Sequence, residues 1–454
     1  MPYETINPTT GEHVATFPIA STAEIDRILS QAQRAQQAWS QLSFAERARP
    51  MRAVAALLNE RRQAFANIMA LEMGKPLRDG TAEISKCASA CEYFATHAES
   101  LLKPRPETSD ASTSYVRFDP LGVVLTIMPW NFPFWQVFRF IAPHLMAGNG
   151  GVLKHAPCVP QCAIAIEQIM RDAGFPVGLL SNLMVENDAV PAIIADQRIA
   201  AVTITGSERA GRSVAALAGG ALKPIVLELG GSDPFIVLAD ADVALAATTG
   251  ATARTMNTGQ SCICAKRFIV EDAVHNAFVA QLTEALRNIR IGNPGDPTTQ
   301  IGPMARRDLR DGLHAQVSEA IARGARCVLG GTIPSGPGCF YPPTMLVDIA
   351  PGNPAASEEM FGPVAVVMRA RDAEHAITLA NATRFGLGCS LWSRDLDRAQ
   401  RFAARIDAGA VFINGQVKSD VRLPFGGVKA SGFGRELGLE GIRAFVNAKT
   451  VWIR

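Results

Sequence analysis

From Leu121 onward, short apolar runs alternate with helix-length segments, and no other feature of the chain restricts its fold as strongly. Leu121–Met128, Gly151–Leu153, Leu183–Val185, Ala201–Ile204, Ile225–Leu229 and Phe235–Leu238 read as strands, with helices such as Cys162–Ala173 and Ala210–Leu217 between them. The pattern resumes after Cys262 with Arg267–Val270, Met345–Ile349, Val364–Arg369 and Ala410–Ile413. Such alternation argues for an α/β fold on a mostly parallel sheet. The first hundred residues read as helical. Ser21-Thr22-Ala23-Glu24 and Ser43-Phe44-Ala45-Glu46 have the form of capping boxes. Apolar residues recur at helical spacing over Met51–Leu71, with a stop at Gly74, and a further helix spans Arg78–Leu102. The Pro-, Ser- and Thr-rich Pro104–Tyr115 reads as an exposed connection or edge hairpin.

A chain of 454 residues suits two large domains with a small third element. Its formal charge is +2 with no long basic run, which argues against nucleic acid as the main partner. No apolar stretch reaches the roughly 20 residues of a membrane span. The start, Met1-Pro2-Tyr3-Glu4, carries no leader pattern, so the nine cysteines read as reduced thiols in a cytoplasm.

Four segments carry chemistry. In Asn257-Thr258-Gly259-Gln260-Ser261-Cys262 the helical run Val243–Thr255 leads into a glycine that permits an unusual backbone angle beside a thiol. A nucleophile on such a turn sits close to backbone N–H groups, although a single cysteine is more often a small buried thiol. Glu228 lies in an apolar strand ending at Gly230-Gly231. A buried carboxylate is either salt-bridged or raised in pKa, and the second state suits a general base. Asn131, directly after strand Leu121–Met128, can donate an amide to an oxyanion or cap a helix. Gly206-Ser207, in the turn Thr205–Gly211 between a strand and a helix, resembles a phosphate cradle but lacks the full Gly-x-Gly-x-x-Gly pattern.

Taken in order, Pro129-Trp130-Asn131, Lys154, Gly206-Ser207, Glu228-Leu229-Gly230-Gly231, Gly259-Gln260-Ser261-Cys262, Glu359-Met360-Phe361-Gly362-Pro363, Pro424-Phe425-Gly426-Gly427-Val428-Lys429 and Ser431-Gly432-Phe433-Gly434-Arg435-Glu436 resemble the aldehyde dehydrogenase superfamily along nearly the whole chain. The resemblance implies Cys262 as nucleophile, Glu228 as general base, and Asn131 with the Cys262 N–H as oxyanion hole. It implies Lys154 and Glu359 on the two riboses of a dinucleotide, Gly206 and Ser207 on its pyrophosphate, and Phe361 near the nicotinamide, with Trp130 and Leu229 lining the same cleft. Where the family usually continues Lys-Pro-Ala-Glu or Lys-Pro-Ala-Ser, this chain reads Lys154-His155-Ala156-Pro157. Pro157 neither accepts a ribose 2′-hydroxyl nor favours a 2′-phosphate, which leaves NAD and NADP both open; the expectation leans to NAD, with NADP possible.

Phe132, Trp135, Gln136 and Arg139 fall on one face if a helix starts at Phe132. Arg139 resembles the carboxylate-binding arginine of bacterial succinate-semialdehyde dehydrogenases, with Trp135 and, approximately, Ser419 as further substrate contacts. Its alternative is a salt bridge to a nearby acid. Where some relatives carry a second arginine this chain has Met256. The expected substrate is succinate semialdehyde, ahead of glutarate semialdehyde or an uncharged aldehyde. Cys264, two residues from Cys262, offers a regulatory disulfide. No cysteine group has a zinc-like pattern, so no metal is expected. The resemblance also implies a Rossmann-type cofactor domain (1–103 and 119–230), an α/β catalytic domain (231–429) and a small β flap (104–118 with 430–454) that joins subunits into a homodimer or homotetramer.

Overall fold

Both expected capping boxes close. Ser21 and Ser43 accept from the N–H of Glu24 and Glu46, whose carboxylates accept the serine N–H in return, and start helices Thr22–Ser40 and Phe44–Glu60. The computed structural model describes residues 3–454; Met1 and Pro2, on which the reading of the chain's start partly rests, lie outside the described residues. The helix expected over Met51–Leu71 is two, Phe44–Glu60 and Arg62–Met73, broken at Arg61. Between Leu58 and Phe65 only Ala64 is apolar, so the buried stripe lapses where the axis changes. Gly74 ends the second helix in the left-handed conformation, φ 75°.

Two helix-covered sheets carry the molecule. The first has five parallel strands in the order Leu180–Asn182, Gly150–His155, Val123–Met128, Ile199–Thr205, Ile225–Glu228. The strand expected at Leu183–Val185 is Leu180–Asn182 instead. Leu183 and Val185 are apolar because they pack in the core beyond the end of the ladder. The second sheet has seven strands in the order Arg326–Leu329, Thr344–Val347, Val364–Ala370, Arg267–Glu271, Pro234–Val237, Gly388–Trp392, Ala410–Ile413, parallel except for the first. Gly388–Trp392 escapes a search for apolar runs because it opens Gly-Cys-Ser, yet it is buried throughout.

A third, antiparallel sheet joins Arg105–Pro106, Thr113–Pro120 and Val446–Ile453, the last two in register from Val446 opposite Pro120 to Ile453 opposite Thr113. Residues 430–436 do not join it. They run beside strand Ile225–Glu228, where Leu227 and Leu229 donate to the carbonyls of Phe433 and Ser431.

Candidate active site

Three strands of the five-stranded sheet end at a cleft of about 270 Å³, the end of a parallel sheet where ligands bind. Val123–Met128 delivers Pro129, Trp130 and Asn131; Ile199–Thr205 delivers Gly206 and Ser207; Ile225–Glu228 delivers Leu229 and Gly230. Cys262, Glu359 and Phe361 come from the seven-stranded half to close it. Trp130 meets Phe361 edge to face, centroids 5.8 Å apart.

The loop bearing Cys262 is strained where the sequence placed its turn. After helix Val243–Thr255, Asn257, Thr258 and Gly259 are all left-handed, with φ of 53°, 57° and 73°. Only the last is a glycine, and a Cβ there would lie 2.4 Å from the Gly362 carbonyl oxygen. Asn tolerates this region and β-branched Thr does not, and Thr258 persists there because its surroundings over-determine it. Asn257 Nδ2 donates to the carbonyls of Asn131 (2.8 Å) and Gln260 (3.1 Å), and Thr258 Oγ1 to that of Gly302 (3.3 Å). Two buried cations hold the rest of the loop. Arg254 donates to the Gly259 and Ala265 carbonyls, and Lys266 to those of Ser261, Cys262 and Cys264.

Burial pushes the Cys262 thiol up to about 12, against the pull of the positive charges of Arg139 and Lys266. Near neutral pH the thiol is therefore mostly protonated. Glu228 is 2 % exposed, and its Oε1 accepts no hydrogen bond. Burial first, then the charge of Glu436, hold its carboxyl well above the usual range, and no ion pair to it exists among the described residues. Of the two readings of a buried carboxylate, this is the raised one. Asn131 Nδ2 donates to the Gln260 carbonyl (3.0 Å) and its Oδ1 accepts from Gln136 Nε2 (3.0 Å). Asn131 caps no helix. The following helix is Trp135–Met146, starting three residues later than Phe132, and Glu83 Oε1 accepts the N–H groups of Phe134 and Trp135 at its start. Glu83 also pairs with buried Lys75, which donates to the Asn131 carbonyl at 2.9 Å.

The expected substrate residues gather elsewhere. Arg139 is 3 % exposed and ion-paired through Nε with the buried Glu436. Its remaining contacts are Thr205 Oγ1 (3.3 Å), Gln136 Oε1 (3.4 Å) and the Phe425 ring, 4.7 Å from the guanidinium carbon. Ser419 Oγ accepts from Lys86 Nζ at 2.6 Å, and Lys86 lies over the Trp135 ring.

The residues present fit a dinucleotide. Gly206 lets the backbone approach at the start of helix Glu208–Gly220, whose N-cap is Ser207. Lys154 lines an adjoining cleft of about 180 Å³ with the apolar Ile127, Val190, Val214 and Leu217, dimensions and lining that suit a flat base. Glu359 Oε1 accepts the Gly231 N–H at 3.0 Å and lies 3.6 Å from Lys266. Pro157 is not in either cleft; it lines a separate one with Glu4, Cys158 and Arg306. Cys262 and Cys264 are both free, and the Cys264 thiol is fully buried, directed to the Met256 carbonyl.

Sequence reasoning missed Lys75, Glu83, Lys86, Arg254 and Lys266. The one available signal was a charge inside an apolar or small-residue run, as Lys266 stands before Arg267–Glu271.

The sequence model of the aldehyde dehydrogenase family matches residues 1–451. A probable succinate-semialdehyde dehydrogenase [NADP(+)] of Synechocystis sp. is 51% identical over 453 residues, all of both chains. A succinate-semialdehyde dehydrogenase [NADP(+)] of Mycolicibacterium paratuberculosis is 50% identical over 457 residues, covering 100% of this chain and 97% of the relative. The crystal structure of succinic semialdehyde dehydrogenase from Streptococcus pyogenes with NADP+ superposes with a TM-score of 0.97 at 36% identity, over 99% of each chain. With the fold, the cleft and these likenesses in agreement, the chain belongs to the aldehyde dehydrogenase family.

Proposed function

We propose that the protein oxidises succinate semialdehyde to succinate, with Cys262 as nucleophile, Glu228 as general base and NADP as the favoured acceptor. The observation that carries the chemistry is one cleft lined by Cys262, Asn131, Gly206, Ser207 and Glu359, with the unpaired carboxyl of Glu228 at the end of its strand. The names of the relatives support the substrate and the phosphate-bearing cofactor. These names shift the balance from the NAD expected from the sequence.

Cys262 Sγ, its proton released to solvent water, adds as the thiolate to the aldehyde carbon. The tetrahedral oxyanion receives the Asn131 amide and the Cys262 N–H. The bound dinucleotide supplies the hydride acceptor. The thioester left on Cys262 is hydrolysed by water that Glu228 deprotonates, releasing the acid. Lys154 and Glu359 hold the riboses, Gly206 and Ser207 the pyrophosphate, and Trp130, Leu229 and Phe361 the walls. Trp135, Arg139 and Ser419 surround the far end of the substrate.

The working unit is proposed as a cytoplasmic homodimer or homotetramer joined through the small antiparallel sheet. Its edge strand Val446–Ile453 leaves Trp452 and Ile453 half exposed, and Ala410–Ile413 is a second uncovered edge. No helix among the described residues is long and apolar enough to cross a membrane.

The test is reduced-nicotinamide formation by purified protein with NADP and NAD, using succinate semialdehyde, glutarate semialdehyde and propionaldehyde. A preference for succinate semialdehyde with NADP is expected. Equal turnover of propionaldehyde would keep the family chemistry and remove the substrate.

A further inference from the structure

Arg139, the expected carboxylate partner, already faces a carboxylate. Its ion pair with Glu436 is buried on both sides, so the pair carries no net charge toward a substrate. Adding a substrate carboxylate would place two acids against one guanidinium, which a buried site tolerates only with a second cation. Lys86 supplies it. It lies half-buried on helix Leu77–Leu101, with its ammonium against two neutral groups: Ser419 Oγ at 2.6 Å and the face of Trp135, 4.2 Å from the ring centroid. Among the described residues no acid forms an ion pair with it. The acids within electrostatic reach are engaged elsewhere, Glu83 with Lys75 and Asp420 with Arg422.

We propose that Lys86 is a specificity-determining residue that receives the substrate carboxylate, with Ser419 as its hydroxyl partner and Trp135 as its wall. Helix Trp135–Met146 links it to the chemistry, since Trp135 carries Lys86 on its ring and the next residue, Gln136, lines the cleft with Cys262. Lys86 therefore touches the neighbour of a residue that lines the nucleophile's cleft. Burial, then the charge of Arg139, pushes its ammonium down to about 8, while Cys87, Glu83 and Asp420 pull the other way. An arriving carboxylate relieves that penalty, and an uncharged aldehyde gains nothing there.

The proposal rests on the reading of the substrate as an acid semialdehyde. Its test is steady-state kinetics of wild type, Lys86→Gln, Lys86→Met and Lys86→Arg with succinate semialdehyde and propionaldehyde, with melting temperatures alongside. Lys86→Gln keeps a donor for Ser419 and loses the charge, so it serves if Lys86→Met fails to fold. The ratio of kcat/KM for succinate semialdehyde to that for propionaldehyde should fall about 30-fold in the neutral variants, the size of one charge-assisted hydrogen bond, through KM rather than kcat. Lys86→Arg should recover most of it. A ratio unchanged in both neutral variants, while wild type prefers the acid, overturns the role of Lys86. A wild type without that preference overturns the substrate instead.

Discussion

The Lys266 ammonium donates to the Cys262 carbonyl at 2.7 Å and to the Ser261 carbonyl at 2.9 Å. The second bond aims the N–H proposed as an oxyanion donor. In a planar trans peptide the carbonyl of residue 261 and the N–H of residue 262 point in opposite directions, so drawing the Ser261 oxygen toward Lys266 turns the Cys262 N–H away from it. Lys266→Met should lower kcat about 100-fold, the effect of losing one oxyanion donor, with KM for the aldehyde within about twofold. Lys266→Arg should recover part of the loss. Equal kcat in wild type and Lys266→Met would show that the loop holds its geometry through Arg254 and Asn257 alone.

The role proposed for Glu228 is that of a base, yet burial and the charge of Glu436 favour its protonated form. Replacing Glu436 with Gln removes that neighbour, so the Glu228 carboxyl ionises at lower pH and the acid limb of the kcat profile should move to lower pH. The same change leaves Arg139 buried without its partner and should cost about 3–5 kcal/mol of stability, seen as a fall in melting temperature. Glu228→Gln should release one equivalent of reduced nicotinamide per site and then stall at the thioester, detectable by mass as an acylated Cys262. An acid limb that stays in place in Glu436→Gln assigns that limb to another group.

The strands at Val123–Met128, Ile199–Thr205 and Ile225–Glu228 were legible because both faces of each are buried, so their sequences are apolar almost throughout. Glycine turns beside Cys262 and Glu228, and a proline-flanked strand end at Asn131, marked these three as candidates for the same reason: short-range chemistry leaves a short-range signature. The partners were not legible. Lys86 meets Ser419 across 333 positions, and Arg139 meets Glu436 only because residues 430–436 return along the edge of the first sheet. A periodicity argument placed Arg139 on the correct helix and gave no means of knowing that an acid from the end of the chain would pair with it.

The pH dependence of thiol reactivity follows from Cys262 pushed up to about 12. Burial favours the neutral thiol, so the reactive thiolate is a small fraction at neutral pH and grows roughly tenfold for each pH unit. Alkylation of the cofactor-free enzyme by iodoacetamide should accelerate steadily through the alkaline range with no plateau below pH ~10. Peptide mapping must separate Cys262 from Cys327, the other partly exposed thiol. Arg139→Met removes the stronger of the two positive charges acting on the thiol and should slow alkylation at any fixed pH. A plateau near neutrality would mean that the thiolate is stabilised in the resting enzyme.

Gly230 lines the cleft that Cys262 and Glu359 share. A Cβ there would lie 2.2 Å from Glu359 Oε2, and the carboxylate would have to leave the Gly231 N–H it now accepts. Gly230 does not need left-handed backbone, so Gly230→Ala acts through this collision rather than through strain. It should weaken NADP binding about tenfold, as one charge-assisted hydrogen bond from the ribose is lost, when measured by quenching of protein fluorescence. The iodoacetamide rate of Cys262 should stay within about twofold, because Lys266 still holds the loop. If NADP affinity is unchanged, Glu359 is not a ribose ligand, and the adenosine half of the site carries the binding.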